Sequence, residues 1–265
     1  MLILLPPSEG KTAPASGPTL DLSALSIPEF TALRAELVAE LEAVSRRPDA
    51  LDILGVGPSI AGEVATQITL REQPCAPAWQ VYTGVLYQAL DMGSFSATQL
   101  TRAGEHTLIF SGLFGATSPL DLIPSYRLGM NVELGGAKIS ARWAPLWPVL
   151  NSRATGLVID ARSGAYAGWK VPASCDVVKI TATRITGATS RTISHAAKYF
   201  RGRVARLALL ADTPPREAEE LAELCQQLVG ERTAAGAITG VELGPARRGV
   251  RELAVVETVD AGRAH

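Results

Sequence analysis

The sequence predicts an α/β fold, a mixed sheet flanked by helices, with a helix-hairpin-helix element on one flank. Three observations predict it. Short apolar runs at 2–5, 107–110 and 156–160 have the length and the flanking turn residues of buried strands. The stretches at 176–183 and 250–256 add two more strands, the second closing a pair with 236–240. Helical spacing fills the intervals: Phe30, Leu33, Leu37, Leu41 and Val44 recur at i, i+3, i+4 within 28–47.

A chain of 265 residues is long enough for one cored domain spanning 1–265, with 48–70 as a subregion inside it. An apolar fraction of 47% against 19% charged residues excludes a disordered chain. No run approaches the roughly 18 apolar residues of a membrane span, so no membrane partner is expected. The run from Met1 to Leu5 is too short for a signal peptide and has no basic leader, which predicts a cytoplasmic location. Cys75, Cys175 and Cys225 are odd in number and far apart, and the three histidines are scattered. Neither a disulfide framework nor a metal site fits, and no cofactor fingerprint occurs. Charge is uneven. Residues 101–206 hold 14 basic and 5 acidic side chains, a surplus of +9 in a chain whose total is −1. Such a segment forms a cationic face for nucleic acid or a phosphorylated ligand, unless the fold interleaves it with acidic neighbours.

In chain order, Leu2–Leu5 runs into Pro6-Pro7 and then Ser8-Glu9-Gly10-Lys11-Thr12. Gly-Lys-Thr after a strand invites a phosphate-loop reading. That motif needs a glycine at position 5, which is leucine, and a helix after Thr12, where Pro14 and Pro18 stand instead. Lys11 and Thr12 remain candidates for an anionic ligand, because one point charge and one hydroxyl suffice for that. Between 51 and 68, Gly55-Val56-Gly57 separates two apolar segments and Pro58 opens the second at its favoured helical position. Backbone amides at such a hairpin can face a DNA phosphate, positioning the protein without reading bases. Asp49, Asp52 and Glu63 nearby, with no Lys or Arg between 48 and 70, favour plain helix packing. Tyr82 and Tyr87 belong to a core or line a cleft.

The stretch 111–130 has the composition of a site. Ser111, Gly112 and Gly115 follow a strand, and Asp121, Tyr126 and Arg127 stand among Pro119, Pro124 and apolar residues. Ordered loops that carry an acid, a phenol and a guanidinium are where sites are placed. The alternative is a Pro-ordered connection tied down by an Asp121–Arg127 pair. Trp143 and Trp147, four residues apart, belong to the core. After the strand ending at Asp160 come Arg162, Ser163, Tyr166 and Lys170, and a buried Asp160 beside Arg162 is expected to be ionised and paired. A basic helix over 194–206 presents Lys198 and Arg201 at i, i+3, with Arg206 displaced by nearly half a turn, and leads into apolar 207–210. Glu217–Val229 is an acidic amphipathic helix, and 261–265 is expected to fray.

Several of these stretches resemble the YaaA family of bacterial peroxide-stress proteins. The quoted matches are the opening strand with its Pro and Lys11-Thr12 loop, Val81-Tyr82-Thr83-Gly84, Ser111-Gly-Leu-Phe-Gly115 with Pro119-Leu-Asp121, Tyr126-Arg127-Leu128, and Lys198 with Arg201-Gly202 and Arg206. Asp160 and Arg162 depart from the family's Asn and Ala, and its C-terminal aromatic element is missing. The resemblance implies a role in peroxide stress, with DNA as the candidate partner and reduced iron-driven damage as the outcome. Under this reading Lys11, Thr12, Gly55, Gly57, Ser111, Arg127, Lys170, Lys198, Arg201 and Arg206 contact the ligand. The alternative is an enzyme acting on an anionic or phosphorylated small molecule in the same cleft, with Asp121, Tyr126, Ser163 and Tyr166 as candidate acid, base or nucleophile.

Overall fold

Five parallel strands lie at the centre of the sheet, and their sequences explain why. In the computed structural model, which describes residues 1–193 and 197–259, the strands are β1 (Leu2–Leu5), β2 (Thr107–Ser111), β3 (Gly115–Thr117), β4 (Leu157–Asp160), β5 (Asp176–Thr186), β6 (Thr189–Thr192), β7 (Ala237–Leu243) and β8 (Val250–Val259). The order across the sheet is β7-β8-β5-β4-β1-β2-β3, with β6 folded back on β5. From β8 to β2 every pairing is parallel, and the flanking β7, β3 and β6 pair antiparallel. Every residue of β1, β2 and β4 is buried. Strands covered on both faces carry continuous apolar runs rather than alternation.

Helices supply that cover: α1 (Thr31–Ser45), α2 (Ala50–Leu54), α3 (Ala61–Thr66), α4 (Val85–Leu90), α5 (Ala97–His106), α6 (Ala197–Leu210) and α7 (Ala218–Cys225). Ser96 caps α5 with a full capping box, exchanging bonds with Gln99. The last residue of α5, His106, bonds through Nδ1 to the Met1 carbonyl and so joins the helix end to the first strand. Trp143 and Trp147 stack at 5.8 Å, with Phe30 and Phe110 against them. Gly202 lets α6 lie directly on α4, because a Cβ there would collide with the Leu86 carbonyl.

Three details differ from the sequence reading. Leu207–Leu210 continue α6 instead of starting a new element. The strand at 176 runs on to Thr186, turns at Gly187 and returns as the exposed β6, which places Arg191 opposite Arg184. Gly115–Thr117 forms a short edge strand inside the glycine-bearing loop. Ser194 and His195, and the C-terminal stretch 261–265, lie outside the described residues. No helix among the described residues is long and apolar enough to cross a membrane.

Candidate functional site

Ligands of parallel α/β sheets gather beyond the C-terminal ends of the strands. Here three loops leave that edge. After β1, the Pro6 carbonyl accepts a hydrogen bond from the Tyr87 hydroxyl at 2.7 Å. The chain then bends until Lys11 makes an antiparallel bridge with Tyr82 and the Thr12 amide donates to the Val81 carbonyl. The bridge turns the Lys11 side chain inward. Its ammonium stands 4.6 Å from the Tyr126 ring centre and 5.7 Å from that of Tyr82, and it donates to the Ser8 carbonyl at 2.8 Å.

Beneath Lys11 runs a chain of buried hydroxyls. The Tyr126 hydroxyl is 2.6 Å from Ser111 Oγ and 2.8 Å from the Tyr82 hydroxyl. Ser111 Oγ also accepts from the Phe114 amide at 3.0 Å, which fixes the serine at the start of the loop after β2. Burial holds the Tyr82 and Tyr126 phenols well above their usual range, and the Tyr87 phenol likewise. All three are therefore neutral at physiological pH, able to donate or relay a proton. Tyr166 comes from the loop after β4. Its phenol, also raised by burial, lies near the Met130 amide and is close enough to Tyr126 and Tyr82 to act on their ionisation.

Lys11 is the one member of this group whose shift brings it near neutral pH. Burial first, and the Arg127 cation second, lower its pKa to about 7, against partial support from Glu63 and Glu9. Among the described residues no carboxylate forms a salt bridge with it. A base whose folded pKa lies below its unfolded value contributes stability that is fully present above about 10.5 and is lost as the pH falls through about 7. Because Lys11 is half-buried, Lys11→Met is expected to raise stability at pH 7 by about 1–2 kcal/mol. That gain should vanish near pH 10.5 in denaturant titrations at stepped pH. A variant that loses stability equally at both ends of the range would contradict the assignment.

Arg127 ties this hollow to the glycine hairpin. Its guanidinium meets Glu63 of α3 at 2.6 Å and donates to the Glu9 carbonyl, while its backbone amide donates to the buried Gln67 side chain. The hairpin consists of α2, Gly55 in the left-handed region at φ 64°, extended Gly57, and a turn opened by Pro58 that leads into α3. Gly55 and Gly57 are exposed, and no atom lies within 4 Å of where a Cβ would sit at either. The hairpin backbone is thus open to close approach.

A second cluster stands at the end of β4. Arg162 grips Asp160 with two bonds of 2.9 Å, and both are buried. The guanidinium lies over Phe110 at 4.6 Å and Trp169 at 5.7 Å, and its Nη1 has no hydrogen-bond partner among the described residues. Arg201 donates to the Ile180 carbonyl at 3.2 Å. Burial lowers its pKa, and the Asp160 charge partly restores it.

The remaining residues are placed as follows. Thr12, Lys170 and Lys198 are exposed, and Ser163 is half-buried and accepts the Tyr166 amide through its carbonyl. Asp121 does not pair with Arg127. Its carboxylate accepts from Ser26 and from the Ser118 amide, tying two loops together. An open groove of about 570 Å³ beside it is lined by Asp21, Glu105 and Asp121, a poor match for an anion. Arg206 is engaged by the Leu90 and Asp91 carbonyls and the Asp91 carboxylate, at the C-terminal end of α4. The fold therefore brings Lys11, Ser111, Tyr126, Arg127 and Tyr166 together, with Tyr82 and Tyr87 beneath them. Sequence reasoning missed Glu63 and Gln67 as the partners of Arg127, since nothing local links residues about 60 positions apart. It also left the charge question open, and the fold answers part of it. Arg127, Arg142, Arg184, Arg203 and Arg206 of the basic segment all pair with acids from the flanking segments.

Comparison with known proteins follows the same lines. A family model described as Peroxide stress protein YaaA matches residues 1–227. The chain is similar to the UPF0246 protein of Streptomyces coelicolor, at 40% identity over 234 residues covering 86% of this chain and 90% of that protein. It is similar to the UPF0246 protein of Corynebacterium efficiens, at 37% identity over 262 residues covering 96% and 100%. A UPF0246 protein of Corynebacterium glutamicum is 34% identical over 231 residues, covering 85% and 92%.

Proposed function

Given that the chain belongs to the YaaA (UPF0246) family of peroxide stress proteins, we infer that it is a cytoplasmic DNA-binding protein whose cationic cleft limits iron-driven oxidative damage. The observation that carries this reading is the Arg127 clasp. It joins the open glycine hairpin, through Glu63, to the loop that holds Lys11. Lys170, Lys198 and Arg191 are exposed and unpaired by carboxylates among the described residues, and they are the further cations this reading would use.

Backbone binding of this kind releases counterions. If about five phosphates are engaged, duplex affinity should fall roughly 10²- to 10³-fold between 50 and 200 mM salt. Lys198→Glu should weaken binding across all sequences and flatten the salt slope by about one unit. Fluorescence anisotropy on a short duplex reads both. Absence of binding at 50 mM salt would sink the reading.

A second reading is favoured by one observation: a lysine without a carboxylate partner, seated on a buried chain of three hydroxyls, is more chemistry than backbone binding needs. In that reading the hollow is the active site of an enzyme acting on an anionic or phosphorylated small molecule. Tyr126→Phe, which breaks the hydroxyl chain at its middle, should then keep ligand affinity and lose turnover.

A further inference from the structure

We propose that Lys11 is an imine-forming nucleophile for aldehydes, and that its substrate is the ring-opened deoxyribose of an abasic site in DNA. The choice of substrate rests on the DNA-binding reading above. The assignment of the nucleophile rests on the geometry of the hollow alone.

Four features converge on it. The Lys11 amine is presented at the strand ends by its bridge to Tyr82 and is half-buried, so it is both positioned and reachable. Its cation has the Ser8 carbonyl at 2.8 Å and two ring faces in contact, Glu63 and Glu9 support it from further off, and burial and Arg127 outweigh them. Lysines in such surroundings hold their lone pair at neutral pH, as amine nucleophiles require. Lastly, the hydroxyls of Tyr126, Ser111 and Tyr82 lie below the amine as a continuous chain through which protons can move.

The chemistry balances without an oxidant or reductant. An abasic sugar exists partly as an open-chain aldehyde. The Lys11 Nζ lone pair attacks its carbon C1′, forming the C–N bond as the carbonyl π pair moves to oxygen. That oxygen takes up a proton and Nζ gives one up, leaving a carbinolamine. The hydroxyl then departs as water with a second proton from the Tyr126 chain. The nitrogen pair closes the C=N bond to an iminium, whose N–H proton returns to the hydroxyl chain, so the net products are an imine and one water.

The test uses the full chain with sodium cyanoborohydride, which reduces an imine to a stable secondary amine. One arm contains a duplex with a single abasic site, and the other contains 2-deoxyribose 5-phosphate. Duplex affinity is measured separately on the unmodified protein. The expected result is a covalent DNA adduct whose mass-spectrometric map places it on Lys11, with a yield that doubles or more between pH 6 and pH 7.5. Lys11→Arg, which keeps the charge but not the nucleophile, should give at least 100-fold less adduct. A protein that binds the duplex but yields no adduct, or yields one on Met1 or another lysine, overturns the proposal and leaves the DNA-binding reading standing. A Lys11 adduct with the sugar phosphate in a protein that does not bind duplex keeps the nucleophile, refutes the DNA source and refutes the DNA-binding reading with it. No adduct in either arm refutes the nucleophile as well.

Discussion

Replacing Arg34 with methionine is expected to cost about 3–4 kcal/mol of folding stability, with the denaturant midpoint falling and the slope unchanged. Arg34 lies on α1 with no exposed surface. Its guanidinium donates to the carbonyls of Phe114 at 3.0 Å, Ile27 at 3.2 Å, and Ser26 and Ala116 at 2.8 Å. The group also lies 5.5 Å from the Phe30 ring centre. Burial lowers its pKa to about 10, with Asp121 as partial support, so it remains a cation at neutral pH. Methionine preserves volume and packing but supplies no donor. Four carbonyls would lose the guanidinium at once, although that of Ile27 keeps the Phe30 amide, and each acceptor left unsatisfied carries a desolvation cost of about 1–3 kcal/mol before relaxation. Two of them belong to the loop at 112–117, which directly follows Ser111. The variant should therefore also loosen the Ser111–Tyr126 contact, visible as faster amide exchange of Phe114. Arg34→Lys should not rescue it, because one ammonium cannot reach all four carbonyls. A loss under about 1 kcal/mol would show that those carbonyls find other donors.

The second large effect is expected at Asp160. Asp160→Ala leaves the Arg162 guanidinium, which is 5% exposed, without its carboxylate. Removing one member of a buried pair costs about 3–5 kcal/mol, because the survivor is an uncompensated buried charge. Arg162 has little means of escape, stacked over Phe110 and Trp169 with its Nη1 already unpartnered among the described residues. In the double variant with Arg162→Met that charge is gone, so a large part of the loss should return. Chemical denaturation of the four proteins gives the coupling, expected at about 2–3 kcal/mol. Losses that simply add would mean that water already compensates the charge.

These two positions mark what could and could not be read along the chain. Asp160 and Arg162 are two residues apart at the end of an apolar run, and their pairing follows from local sequence. Arg34 was hidden in plain view. It falls on the apolar stripe that Phe30 opens and Leu37 and Leu41 of α1 continue, where an arginine signals a buried role, but its acceptors lie outside the helix and up to 82 residues away. Asp121 illustrates the converse. Its neighbourhood suggested chemistry or a pair with Arg127, and the fold uses it to accept from Ser26 and Ser118.

The positions of the five central strands were legible in the sequence, three of them as continuous apolar runs that are buried on both faces, while their parallel order was not. The turn at Gly55 and the place of Lys11 after the first strand were also legible, because turn chemistry is local. Tertiary structure decided which charges meet. The choice of Glu63 over Asp121 for Arg127, and the cancelling of much of the basic segment by acids from either flank, depend on side chains brought together by strand order. The same is true of Lys11. A lysine in a polar loop looks solvated in sequence, and only packing against two tyrosine rings removes the water that would otherwise keep it charged.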